Sequence, residues 1–79
     1  MSRDEIFSRL HEIFTNVFSY SDFVLSNDTV ASDIVGWDSL TNIQLIITIE
    51  RAFGIRFPAA EVARFACLGE MVDSIEERV

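Results

Sequence analysis

The sequence predicts an all-α fold, a small four-helix bundle of three longer helices and one short helix, with a long first loop. Three observations carry that expectation. Apolar residues recur at helical spacing in three separate segments. No segment alternates as a half-buried strand would, and no internal repeat is present. Hydrophobic residues make up 49% of the chain, well above what a disordered segment carries. A length of 79 residues fits one domain spanning 1–79. Chains of this size bury only about 60% of the surface they expose when unfolded, so the core must be compact and supported by local propensity.

From Arg3 to Phe18, the residues Ile6, Phe7, Leu10, Ile13, Phe14, Val17 and Phe18 form one stripe at i, i+3, i+4 and i+7, which predicts the first helix. His11 sits off that stripe beside Glu12 and reads as a solvated helix residue, since no second His exists to share a metal. Residues 19–38 mix the turn formers Ser21, Asp22, Ser26, Asn27, Asp28 and Ser32 with apolar anchors Phe23, Val24, Leu25, Val30, Ile34 and Val35. That pattern predicts a loop with a short turn at Ser32 to Val35. So long a loop is uncommon in a compact domain unless it is functional.

The second helix begins at Asp38 or Ser39, either of which can cap the free backbone N–H groups, and runs to Phe53 before Gly54 closes it. It spans roughly 20 Å at about 1.5 Å per residue. Residues 43–49 have strand propensity, but the length of the segment, its caps and the helix formers Glu50, Arg51 and Ala52 favour helix. Pro58 suits the first turn of a short helix, Ala59 to Arg64. The last helix repeats Leu68, Met71, Val72, Ile75 and Val79 at helical spacing behind a poor N-cap, Cys67.

Thirteen acidic residues against six Arg and no Lys leave a net charge of -7. That balance repels nucleic acid and anionic membranes. An address for basic partners and a surface that only prevents association both fit the charge taken alone. The single Cys67 excludes an internal disulfide and a multi-cysteine metal site, and it suits a reducing compartment. With no Lys or His beside it, Cys67 reads as a small buried hydrophobe rather than a working thiol. The stretch MSRDEIFSRL lacks the apolar region of a signal peptide, and no window reaches transmembrane length. A cytoplasmic monomer without membrane insertion is expected.

At about 100° per residue, Leu45, Ile46, Ile49 and Phe53 gather on one side of the second helix. Leu40, Ile43 and Ile47 lie on nearly the opposite side, with Gln44 and Arg51 beside them. Two readings stand at this point. Either the helix is central and buried all round, or its second stripe docks partners as aliphatic anchors. Ser39 divides the same way. It is an ordinary cap, or it is an anchor whose phosphodiester would be favoured by the helix dipole and free N–H groups.

The stretch Gly36-Trp37-Asp38-Ser39-Leu40, the segment IQLIITIERAFGIRFP and the terminal helix together resemble the acyl carrier proteins and the related peptidyl and aminoacyl carriers. The resemblance covers nearly the whole chain and accounts for the long first loop. It implies that Ser39 bears 4'-phosphopantetheine, transferred from coenzyme A by a separate Mg-dependent phosphopantetheinyl transferase, and that the arm's thiol holds acyl groups as thioesters. It implies that Asp38 helps orient the transferase and its metal. Leu40, Ile43 and Ile47, with Gln44 and Arg51 beside them, would contact acyl-loading and acyl-processing enzymes. Leu45, Ile46, Ile49 and Phe53 would line the interior, where some members of the family shelter an acyl chain. No residue is expected to be catalytic or to bind a metal.

One departure stands out against the family pattern. Fatty-acid carriers crowd acidic residues along the second helix, whereas Thr41, Gln44 and Arg51 stand at the matching positions here, leaving only Asp38 and Glu50 negative. This points to a specialised pathway with more apolar docking. The Gly-x-Asp-Ser-Leu stretch is also similar to a motif of certain esterases, but a serine nucleophile needs a nearby base, and His11, the only histidine, lies on the first helix. The remaining alternative is an unmodified helical interaction domain in which Ser39 is a cap. Fatty, polyketide, amino-acid and other cargoes all stay open, because the loading enzyme chooses the cargo. Glu61 and Arg64 read as solvated charges beside buried Val62 and Phe65, and Trp37 either packs the loop end or contacts the arm.

Overall fold

The computed structural model describes residues 1–79 as α1 (Arg3–Phe18), a 3-10 turn (Ala31–Asp33), α2 (Ser39–Phe53), α3 (Ala59–Ala63) and α4 (Leu68–Arg78). The all-α expectation holds, and α1 and α2 have the expected bounds. The turn starts one residue before Ser32, because Asp33 closes it on Val30: the Asp33 N–H donates to the Val30 carbonyl at 2.9 Å, and the Val30 N–H donates to the Asp33 carboxylate at 3.0 Å. The short helix stops at Ala63, with Arg64 as its C-cap. No helix is long and apolar enough to cross a membrane.

Helix α1 starts where the Ser2 hydroxyl accepts from the Glu5 N–H at 3.2 Å, with Asp4 and Glu5 complementing the dipole of the first turn. It stops at Ser19, which adopts a left-handed φ of 63° and donates its N–H to the Thr15 carbonyl at 2.9 Å. The stripe Ile6, Leu10, Ile13 and Phe14 is buried. Against it pack Leu45 and Ile49 of α2 and Leu68, Met71, Val72 and Ile75 of α4, with Ile34, Ile55 and Phe57 closing the sides. Each such side chain contributes about 1.5–3 kcal/mol on burial, which is what compensates the modest size of the core.

The long loop is held at several points along its length. The Tyr20 hydroxyl accepts from the Val35 N–H at 2.7 Å, and Phe23 folds back over α1, with its ring 6.1 Å from Phe14 and 4.8 Å from His11. His11 is therefore half-buried under a loop aromatic rather than solvated. Two of the expected anchors, Val24 and Val35, are instead exposed. Val62 on α3 and Phe65 just beyond it are half-buried, and Glu61 is not the free solvated charge that was expected: it accepts from the Ser74 hydroxyl and pairs with Arg78 at 2.7 Å. Those contacts, Ser74 first, hold the Glu61 carboxyl below its ordinary range.

Cys67 is a poor cap as expected, offering no side-chain hydrogen bond to α4. The first loop supplies what is missing. The carbonyls of Thr29 and Asn27 accept from Leu68 N–H at 2.8 Å and Gly69 N–H at 3.0 Å, satisfying donors that the helix cannot pair itself. Arg3 locks the same junction, donating to Asn27 Oδ1 at 2.8 Å and pairing with Asp73 at 2.7 Å and with Glu76. Gly69 allows this approach, since a Cβ there would stand 2.8 Å from the Asn27 carbonyl oxygen. Gly69→Ala is therefore expected to push the loop off α4 and lower stability by about 1–3 kcal/mol, read as a shift of the urea midpoint.

Candidate functional site

The site is built at the head of α2. Asp38, in extended backbone with φ -134° and ψ -172°, is the N-cap. Its Oδ1 accepts from Leu40 N–H at 3.0 Å and Thr41 N–H at 2.9 Å. Thr41 returns the bond: its Oγ1 accepts from the Asp38 N–H at 2.9 Å while its hydroxyl donates to the Gly36 carbonyl at 2.7 Å. This reciprocal capping box fixes the loop that delivers Ser39. Gly36 takes a φ of 92°, which favours glycine. Thr41, which the sequence reading left as a neutral residue on the docking side, is thus half-buried and committed to the cap. The Asp-x-x-Thr spacing is a signal in the sequence that could have found it.

Because Asp38 caps, Ser39 does not. Ser39 is the first residue of the helix proper, it is exposed, and no hydrogen bond within the chain ties down its hydroxyl. Free N–H support at this position is smaller than expected, since Asp38 already holds the N–H groups of Leu40 and Thr41. What remains is the Ser39 N–H, which takes no backbone acceptor, and the helix dipole.

The N–H of Thr41 is the main cause that holds the Asp38 carboxyl below its usual range; desolvation opposes it, and the Thr41 hydroxyl and Leu40 N–H add to it. The folded-state value is depressed, so the stability Asp38 contributes is present above an unfolded value of about 3.9 and is lost as pH falls through the folded value. In an NMR titration Asp38 should therefore protonate below the ordinary Asp range, with the Leu40 and Thr41 amide signals moving in step. Protonation at or above that range would contradict the capping geometry.

The two faces of α2 are distinct. Leu45 and Ile49 are buried, and Ile46 and Phe53 are half-buried against the core. Leu40, Ile43 and Ile47 are 70%, 58% and 44% exposed, so the helix is not buried all round. Gln44 and Arg51 are exposed on the same side. Trp37 packs the loop end onto α1, its ring edge-on to Phe14 at 5.2 Å, and donates its indole N–H to Asn42 Oδ1 at 3.0 Å. The indole also forms one wall of a cleft of about 290 Å³ that opens beside Ser39. Val62, Phe65, Cys67 and Met71 make the apolar far side, and Asn42 lies at its edge. The cleft is not lined by Leu45, Ile46, Ile49 or Phe53, because those side chains are already used in packing against α1 and α4. Cys67 is half-buried in the cleft wall.

Residues 8–75 match the family described as the phosphopantetheine attachment site. The chain belongs to the acyl carrier protein family. Over 78 residues, 99% of this chain and 96% of the relative, it is 27% identical to the acyl carrier protein of Thermotoga maritima. It is 28% identical over 79 residues to that of Guillardia theta. Its backbone also resembles the solution structure of a holo acyl carrier protein from Geobacter metallireducens, with a TM-score of 0.84 and 32% identity, covering 91% of this chain and 83% of that one. Members of this family are carriers, not enzymes, and phosphopantetheine is the prosthetic group of this carrier. The residues at the head of α2 fit such a group as an exposed attachment point beside an apolar cleft, rather than as an enclosed anion cradle.

Proposed function

We propose that Ser39 is the residue that carries the 4'-phosphopantetheine arm, and that acyl intermediates pass on it between enzymes docked along Leu40, Ile43, Gln44, Ile47 and Arg51. The observation that supports this reading is the division of labour at the helix head: Asp38 caps α2, so the exposed Ser39 hydroxyl has no structural task. In the attachment step the Ser39 oxygen forms a bond to a phosphorus of the coenzyme A pyrophosphate, the bridging P–O bond breaks, and adenosine 3',5'-bisphosphate leaves. The Ser39 proton goes to a base supplied by the phosphopantetheinyl transferase: this chain has no Lys, its only His, on α1, packs against Phe23 of the first loop, and Asp38 Oδ1 is bonded to the Leu40 and Thr41 N–H groups. Asp38 holds the first turn in register for that encounter. When bound, the arm supplies a thiol that holds acyl groups as thioesters.

The exposed stripe next to Ser39 lets an enzyme that grips α2 receive the arm at its own active site. Acyl-loading and acyl-processing enzymes are the partners this reading requires, in the cytoplasm, with the carrier acting as one domain. Intact-protein mass after incubation with coenzyme A, Mg²⁺ and a broad-specificity phosphopantetheinyl transferase tests it. One added phosphopantetheinyl group is expected. No gain in a folded sample, beside an active control carrier, would favour an unmodified interaction domain instead.

A further inference from the structure

Resting on that reading, we infer that the enzyme face docked on α2 is an apolar groove flanked by carboxylates, the reverse of what a carrier of net charge -7 would ordinarily select. The inference comes from where the arginines and acids are committed. Arg3 is paired with Asp73 and Glu76, Arg78 is paired with Glu61, and Arg9 lies over the Phe53 ring at 5.7 Å. Arg51 and Arg56 take no carboxylate partner and line one open depression with Ile47 and Gly54 at the far end of the exposed stripe.

The acids nearby are few, and each has one oxygen bonded within the chain. Glu50 lines the same depression, but its Oε2 accepts from the Phe57 N–H at 2.8 Å, which turns it toward the chain. Asp38, at the other end, is engaged by Leu40 and Thr41. Between them the outward positions are Leu40, Ile43, Gln44 and Ile47, and the Thr48 hydroxyl donates back to the Gln44 carbonyl at 2.7 Å. The remaining acidic residues belong to α1, the first loop, α3 and α4. The docking side of α2 is therefore apolar with two unpaired guanidiniums at one end, on a molecule that is acidic elsewhere. Arginine suits carboxylate through its planar fork of donors. A groove lined with lysines would meet only Asp38 and Glu50, each with one oxygen already bonded within the chain, whereas a groove with carboxylates would be oriented by Arg51 and Arg56 and so bring its opposite end to Ser39.

Two synthetic helical peptides test this, alike in an apolar stripe of Leu and Ile and flanked by Glu in one and Lys in the other. Each is titrated into the holo carrier, with loading checked separately by intact mass, and followed by amide NMR shifts. The Glu peptide is expected to bind about tenfold more tightly, to perturb Leu40 to Arg56, and to lose its advantage in the R51Q/R56Q variant and at high salt. Equal or tighter binding of the Lys peptide on this face would overturn the inference. So would no response of the face to either peptide, or an advantage that survives R51Q/R56Q. Failure of loading would appear in the mass instead and would count against the role of Ser39, because the same titration on unmodified protein still reads the charge preference.

Discussion

Ser39→Ala should abolish the phosphopantetheinyl mass gain while leaving the folding free energy within about 0.5 kcal/mol of the parent. The separation of the two readouts follows from the cap. A serine at an N-cap typically contributes about 1 kcal/mol through its bond to the first-turn N–H groups. Here those groups are bonded to Asp38, and Ser39 sits one position inside the helix with its hydroxyl exposed. Asp38→Ala is the complementary variant. It removes both capping bonds and should lower stability by about 1 kcal/mol, as measured by urea unfolding. If Ser39→Ala still gains the group, attachment lies elsewhere. If it loses about as much stability as Asp38→Ala, the hydroxyl has a structural task that the geometry does not give it.

Phe14→Ala should be the most damaging single core change. Phe14 is fully buried at the point where three parts of the fold meet: its ring lies 5.6 Å from Phe18 on its own helix, 6.1 Å from Phe23 of the long loop and 5.2 Å from Trp37 just ahead of the site. Truncating a buried Phe costs about 3–5 kcal/mol through lost transfer energy and the cavity left behind. A chain of this size has only about 4–12 kcal/mol in total, so much of the population should unfold in mild denaturant. Trp37 fluorescence reports the change directly, because the indole loses its edge-on neighbour. A loss below about 1 kcal/mol would mean that the loop aromatics collapse into the space, and that Phe14 is not the support of the Ser39 approach.

The depression at Arg51 and Arg56 and the cleft beside Ser39 are lined by different residues. Changes at Arg51 and Arg56 act on an exposed depression, whereas the cleft beside Ser39 is walled by Trp37 and by residues of α3 and α4. The two can therefore be altered separately without disturbing the capping box between them.

Periodicity placed α1, and periodicity with the cap candidates Asp38 and Ser39, the helix formers Glu50 to Ala52 and the closing Gly54 placed α2, whereas the left-handed backbone of Ser19 that ends α1 is seen only in the structure. The same periodicity exposed the second stripe of α2, and the Asp-Ser-Leu context identified the family. Those are local properties, written within a few turns of chain. What periodicity does not contain is which of two adjacent oxygens caps a helix: both Asp38 and Ser39 have the chemistry, and only the extended backbone at Asp38, held by Thr41 and the Gly36 carbonyl, chooses between them. Nor does it contain partners far apart in sequence. The first loop supplies the cap that Cys67 lacks, Phe23 covers His11, and Glu61 finds Ser74 and Arg78. The second stripe of α2 is exposed because α1 and α4 fill only the other side, and the cleft beside Ser39 exists because α3 and the start of α4 stand off from Trp37. Local spacing could name the serine and its helix; contacts between distant segments decided that its hydroxyl is free and what stands around it.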